Sequence, residues 1–330
     1  MRTTRRRMLV MVAVVAVALA TAGTATAGAG EDNGHHAPYA VGSQSFTFVD
    51  TSRPTQANGS FAGAPSRTLP TLVLYPAQGD PNKPPVPGAR PLRGRRFPLI
   101  VFSHGFTASG PAYAPLLALF ARAGYVVAAP TFPLTNGAAP GGPRLLDYKN
   151  QPGDVSFVIT RVLGLDRDDA PFRREVDGRS IGVAGHSLGA ITTLGVATNT
   201  AVQDRRIDAA VSFSGLELPF GNGRFFGGPT PPLMLVHGNA DQTVPYGGSV
   251  NVYGQSPAPK AFLTLLGAPH TPFRPPWLDA TVRTVVDFLD GYLKHDHEAL
   301  EHLARDGNVP GTTSLQQDLG CTHECHGKAA

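Results

Sequence analysis

Ser187 stands at the centre of Gly185-His186-Ser187-Leu188-Gly189, a G-x-S-x-G pentapeptide. A hydroxyl is a poor nucleophile near neutral pH, so a reactive serine needs a base to take its proton. The base needs a carboxylate to hold its tautomer and to stabilise the imidazolium that forms. Two later loops offer those groups: His237-Gly-Asn-Ala-Asp241 and Gly267-Ala-Pro-His270. Ser187, Asp241 and His270 therefore read as nucleophile, acid and base of an acyl-transfer site. Its developing oxyanion would need two backbone N–H donors. Those are assigned to Leu188 and to Phe106, the latter in Ser103-His104-Gly105-Phe106-Thr107.

These groups can cooperate only if rigid elements hold them. Ile181, Val183 and Ala184 read as the end of a buried strand, and Leu188 to Thr198 as a helix. A strand turning this sharply into a helix strains its middle residue and pushes that side chain out above the sheet, with glycines leaving room on both sides. Alternating or continuous apolar runs predict further strands at 45–50, 71–75, 97–103, 125–129, 208–213, 232–236 and 262–266. Helical spacing is read at 113–123, at 155–165 with Asp154 as N-cap, and at 278–293, with 298–303 as one more short helix. Strands alternating with helices predict an α/β fold with a mostly parallel sheet covered on both faces. In such sheets ligands bind beyond the carboxyl ends of the strands, where the Ser103, Ser187, Asp241 and His270 loops fall. The stretch 77–96 reads as a surface loop.

Arg2, Arg5, Arg6 and Arg7 precede an apolar run from Met8 to Ala20 and then Ala25-Thr26-Ala27. That pattern predicts a signal peptide over 1–27 and a secreted, extracellular protein, by Sec or twin-arginine export. Taking those four arginines from twenty-eight basic residues leaves twenty-four, against twenty-four acids. The mature balance gives no reason to expect nucleic acid as a partner, and no later segment is long and apolar enough for a transmembrane anchor. Residues 28–42 read as a flexible segment, 43–295 as the catalytic domain, and 296–330 as a terminal helix and loose tail. Cys321 and Cys325 are the two cysteines; a local disulfide suits an oxidising compartment, with metal binding alongside His323 and His326 as the alternative.

The chain resembles the α/β-hydrolase superfamily, within the group spanning dienelactone-hydrolase-like esterases, platelet-activating-factor acetylhydrolases, chlorophyllase-like proteins and cutinase-like polyester hydrolases. The residues that carry this are Phe97-Pro-Leu-Ile-Val-Phe-Ser-His-Gly-Phe-Thr107, Gly185-His-Ser-Leu-Gly189 and His237-Gly-Asn-Ala-Asp241, with the Ser, Asp, His order and the strand leading to His270. The resemblance spans about residues 68–295. Dienelactone hydrolases proper use a cysteine nucleophile, so Ser187 points to ester hydrolysis. Cutinase-like polyester hydrolases carry an aromatic where Phe106 stands, but proline in place of His104, methionine in place of Leu188 and glycine in place of Ala190.

The expected function is that of a serine esterase, lipase-like or cutinase-like, acting through an acyl-enzyme on a small, lipid or polymeric ester. A non-catalytic binding module on this fold, or an amidase or peptidase with the same triad, are the alternatives. Phe106, His186, Phe225 and Phe226 are candidate substrate contacts, although residues flanking an elbow serine point away from it. His104 is expected to brace the oxyanion loop. The loop from Gly215 to Pro231 is too short for a cap domain, which predicts an open cleft. The chemistry requires neither a metal nor an organic cofactor, and a monomer is expected.

Overall fold

The chain enters its sheet through two antiparallel strands, β1 (Ala40–Asp50) and β2 (Arg67–Ala77), with the short β3 (Val86–Pro87) beside β1. The computed structural model describes residues 37–167, 171–172 and 174–320. Residues 1–36, which include the expected signal peptide, and the Cys321–Cys325 pair lie outside the described residues. After β3 the chain alternates: β4 (Phe97–Ser103), α1 (Ala114–Arg122), β5 (Val126–Pro130), α2 (Gln151–Gly164), β6 (Val176–His186) and α3 (Leu188–Thr198). Then come β7 (Ala209–Phe213), β8 (Leu233–Gly238), α4 (Tyr246–Gln255), β9 (Lys260–Leu265), α5 (Leu278–Leu293), α6 (His297–Gly307) and β10 (Thr313–Asp318).

The ten strands lie in the order β10-β9-β8-β7-β6-β4-β5-β2-β1-β3. The block from β5 to β9 is parallel, while β2 runs antiparallel to β5 and β10 antiparallel to β9. Because β5 and β6 flank β4 on opposite sides, the strand order reverses there and opens a crevice at the carboxyl ends of β4 and β6. That crevice lies between the loop holding Phe106 and the elbow holding Ser187.

Successive residues of a strand face opposite sides, and each side of this sheet is apolar. Leu99, Val101 and Val183 pack with Val155, Val158 and Ile159 of α2 and Leu194 of α3. Ile100, Phe102 and Ala184 face the other way, onto Leu117 and Phe120 of α1 and Phe288 and Leu289 of α5. Each fully buried side chain of this kind contributes about 1.5–3 kcal/mol relative to exposure. The result is a rigid double-sided core under the strand ends.

Four sequence expectations need correction. Residues 40–42, expected to belong to a flexible segment, already form the start of β1. The chain beyond Gly307 is no loose tail: Thr313–Asp318 adds a tenth strand, so the described fold runs past residue 295. The surface loop after β2 contains the two-residue β3. Asp154 is not an N-cap, since α2 begins at Gln151. It is instead a fully buried partner of Arg67, which donates to it from Nε at 2.7 Å and Nη2 at 2.6 Å. Arg67 also reaches both oxygens of Asp147, at 3.2 and 2.9 Å, and Arg53 donates to Asp154 at 2.8 Å. Burial pushes the Asp154 carboxyl up in spite of the guanidinium beside it.

Removing one partner of a buried ion pair leaves the other charge desolvated and alone, at a cost of about 3–5 kcal/mol. Arg67→Met is therefore expected to lose that much stability, read as a lower urea midpoint with unchanged m-value. A midpoint equal to wild type would show that Asp147 and Asp154 find other partners.

Candidate active site

The elbow is built by steric necessity. Ser187 joins β6 to α3 with φ 57° and ψ −119°, a left-handed conformation that side-chain-bearing residues rarely adopt. Its N–H donates to the Phe213 carbonyl oxygen at 2.9 Å, which fixes the turn against β7. A Cβ on Gly185 would lie 2.3 Å from the Gly189 oxygen, and one on Gly189 would lie 2.0 Å from the Ser103 oxygen. Both glycines of the pentapeptide are thus required by close backbone approach, as the sequence suggested.

Ser103 and Gly185 are register partners on β4 and β6, so the loop after β4 lies beside the elbow. His104 is buried beneath that loop, its Nδ1–H donating to the Gly105 oxygen at 2.8 Å and its Nε2 accepting the Phe132 N–H at 3.0 Å. This is the bracing role expected of it. Thr107 has φ 66° and donates its N–H to the Thr135 oxygen at 2.7 Å. A β-branched residue in this region is strained, and strain of this kind gathers at functional sites. Among the described residues the Phe106 N–H has no partner. The same holds for the Leu188 N–H, which as the first residue of α3 has no intrahelical acceptor.

Asp241 follows β8 and His270 follows β9, and the two meet: His270 Nδ1 donates to Asp241 Oδ2 at 2.6 Å. Asp241 Oδ1 accepts the N–H groups of Thr243 at 2.7 Å and Val244 at 2.9 Å. A second histidine, His237 at the end of β8, donates from Nε2 to the same Oδ2 at 3.0 Å. Burial alone would raise the Asp241 carboxyl, but the bonds from His237, His270 and Val244 outweigh it and hold the group well below the usual carboxylate range. The acid is therefore ionised and its orientation fixed by four donors. With Nδ1 committed, Nε2 is the nitrogen left to act as base. Among the described residues the Ser187 hydroxyl makes no hydrogen bond, and in unliganded enzymes this contact is often long and closes once substrate binds.

An elbow, two free N–H donors and a carboxylate-held histidine gather at the carboxyl ends of the parallel strands β4, β6, β8 and β9. A comparison with protein-family models matches residues 100–326 to the alpha/beta hydrolase family, a span running from within β4 through β10. The chain belongs to the alpha/beta hydrolase family. Residues 64–132 of the hydrolase also match platelet-activating factor acetylhydrolase, isoform II. No curated protein gave a match. Among solved structures, a ferulic acid esterase from Streptomyces cinnamoneus aligns with TM-score 0.60 at 23% identity, over 78% of this hydrolase and 91% of the esterase. That likeness is one of fold.

The hydrolase has an apolar wall next to the elbow. Leu188, Ile191, Tyr148 and Phe220 are buried in one cluster, with Phe106, Leu216, Leu218 and Phe225 packed against it at the surface. Phe106 and Phe225 thus lie in the same wall. Phe226 packs instead on the α2–α3 side of the core. His186 is a further correction: it is buried and both ring nitrogens are engaged, so it does not line the cleft. Leu216, Leu218, Tyr148 and His237 were not singled out from sequence. The basic cavity lined by Arg95, Arg96, Arg179 and Lys294 lies at the opposite ends of β4 and β6. Asp166, Asp177 and Asp290 pair with three of its four cations.

Two buried histidines make the hydrolase sensitive to acid. Burial lowers His104 to about 4 and His186 to about 3, from an ordinary value of 6.5. Below pH 6.5 the unfolded chain binds protons that the folded chain refuses, so stability is lost as pH falls toward those values. Each histidine contributes a slope of about 1.4 kcal/mol per pH unit in that window. The urea midpoint should fall between pH 7 and pH 5, less steeply than two histidines alone would give. Burial pushes the Asp287 carboxyl up to about 8, and its proton uptake on folding works the other way. His104→Gln, which keeps a donor and an acceptor without a titratable ring, should show a shallower fall, and an unchanged slope would contradict this origin.

Proposed function

We propose that the chain is a secreted serine hydrolase of carboxylic esters. The observation that carries this reading is the 2.6 Å bond from His270 to an ionised Asp241, with the His270 ring 4.7 Å from that of His186, the neighbour of a serine on a strained elbow. His270 Nε2 takes the Ser187 proton as Oγ attacks the ester carbonyl. The oxyanion is received by the N–H groups of Phe106 and Leu188, each such donor being worth about 3–4 kcal/mol of transition-state stabilisation. Collapse expels the alcohol, protonated by His270, and leaves an acyl-Ser187 ester. Water, deprotonated by the same imidazole, then attacks that ester, releasing the acid and restoring the serine. Asp241 stabilises the imidazolium in both halves without taking its proton.

The apolar wall containing Phe106, Leu188 and Phe225 supports an apolar acyl group next to the oxyanion donors. Among the described residues no cap domain follows β7, and an open cleft would accommodate a bulky alcohol. The matches to an acetylhydrolase and a ferulic acid esterase make acetyl and aryl-acrylate esters the first compounds to try. The test is turnover of p-nitrophenyl esters from acetyl to dodecanoyl and of methyl ferulate, beside the matching p-nitroanilides. Ester cleavage with anilides at least about a hundredfold slower fits the reading. Faster anilide cleavage would make the protein an amidase, and no turnover of any compound would favour a binding module.

A further inference from the structure

We infer that Tyr113 and His186 are positioning residues that tie the oxyanion loop to the base, so that both halves of the site are held as one piece. This rests on the assignment of Ser187, Asp241 and His270 above. Three hydrogen bonds form an unbroken chain: Gly105 N to Tyr113 Oη at 3.2 Å, Tyr113 Oη to His186 Nδ1 at 2.8 Å, and His186 Nε2 to the His270 carbonyl oxygen at 2.7 Å.

Each link has one allowed direction. The His270 carbonyl oxygen can only accept, so His186 Nε2 carries a proton. In a neutral imidazole Nδ1 must then accept, so the Tyr113 hydroxyl donates to it. The tyrosine oxygen in turn accepts the Gly105 N–H, which has nothing else to do but donate. The chain begins one residue before Phe106, passes through the residue before Ser187 and ends on the backbone of His270. It therefore touches the mount of each reacting position and none of the reacting atoms.

The surroundings preserve that direction. Phe273 packs edge-on against both rings, 5.1 Å from His186 and 6.0 Å from Tyr113 between centroids, and Phe102 lies 4.8 Å from Tyr113. Burial lowers His186 to about 3 and pushes Tyr113 up to about 12. Neither group changes protonation in the neutral range, so the chain stays intact while His270 cycles. The alternative link to the same carbonyl oxygen, from Ser214 Oγ, is long at 3.4 Å. His186 is thus the principal hold on the base's backbone, as Asp241 is on its ring.

The test compares Tyr113→Phe, His186→Leu, His186→Gln and the Tyr113→Phe/His186→Leu double variant with wild type on p-nitrophenyl butyrate. Misplacing reacting groups by a fraction of an ångström to an ångström costs up to about 100-fold in rate. Tyr113→Phe and His186→Leu should each lower kcat by about 10–100-fold with KM within about twofold. His186→Gln, whose amide both donates and accepts, should regain most of what leucine loses. Because both single changes cut one chain, the double variant should be no worse than the poorer single.

Multiplicative losses in the double variant, a glutamine as poor as leucine, or a defect confined to KM would overturn the inference. Should His186→Leu fail to fold, Tyr113→Phe, which removes one oxygen atom, decides alone: wild-type kcat refutes the brace. A readout independent of turnover is the long-range proton–nitrogen NMR spectrum of wild type, where His186 should be the Nε2–H tautomer from pH 6 to 8. The Nδ1–H tautomer would break the chain. An inactive wild-type protein with the expected tautomer would count against the esterase reading while leaving the brace in place.

Discussion

Ser187→Ala is expected to lower kcat on p-nitrophenyl butyrate by roughly 10⁵- to 10⁶-fold, with KM little changed. The alanine retains the Cβ and keeps the same strained backbone, so the elbow and the two glycine contacts beneath it persist. The Phe106 and Leu188 N–H groups are untouched, so the proposed oxyanion donors should leave a residual rate well above water alone. What disappears is the oxygen that forms the acyl-enzyme. Thermal unfolding should move by only a few degrees, which separates loss of chemistry from loss of fold. An alanine variant that retained even a hundredth of wild-type kcat would place the nucleophile elsewhere.

Asp241→Asn should cost about 10⁴-fold in kcat, by a route that the hydrogen bonds dictate. Oδ1 accepts two backbone N–H groups, from Thr243 and Val244, so the amide oxygen of asparagine must occupy that place. Its NH2 group then takes the position of Oδ2, facing His270 Nδ1 and His237 Nε2. Two donors meet at His270 unless the ring shifts its proton to Nε2, where it blocks acceptance from Ser187. The base is then in the wrong tautomer. His237 Nε2 also loses its carboxylate and keeps only the Val244 oxygen at 3.2 Å, so a modest fall in the unfolding midpoint should accompany the lost rate. An unchanged kcat would show that Asp241 is not the acid of the site.

The parts of this molecule that sequence made legible are those in which neighbouring residues carry the physics. Phe97–Ser103 reads as a covered parallel strand because all seven residues are buried on one side of the sheet or the other. The elbow is readable because strand, glycine, serine, glycine and helix follow one another without a gap. Leu278–Leu293 is readable because its buried Val285, Val286, Phe288, Leu289 and Leu293 keep helical spacing. Long-range pairing was not readable. Asp154 resembles a cap because it sits near a helix start, yet its partner Arg67 is 87 residues away. Strand β10, Thr-Ser-Leu-Gln-Gln-Asp, is an edge strand with only Thr313 buried, so it carries no apolar alternation to betray it.

The active site divides in the same way. Ser187, Asp241 and His270 stand out by type, order and place at strand ends. The roles of His237 and His186 depend on what each ring nitrogen meets, and that of Tyr113 on what its hydroxyl meets, and these partners lie as far as 84 positions away. Leu216 and Leu218 belong to the wall because the loop after β7 packs against Leu188 and Ile191 of α3, a contact between distant segments that no local pattern announces. A general signal for His237 did exist, since it lies four residues before Asp241, at the end of β8.

In the proposed function one serine of this chain, Ser187, is a nucleophile activated by its own base. Treating the purified protein with a fluorophosphonate and mapping the adduct by mass spectrometry tests it most directly. A single adduct is expected on Ser187, formed by wild type, absent from Ser187→Ala and greatly slowed in Asp241→Asn. Labelling of another serine, or none at all in folded wild-type protein, would contradict it.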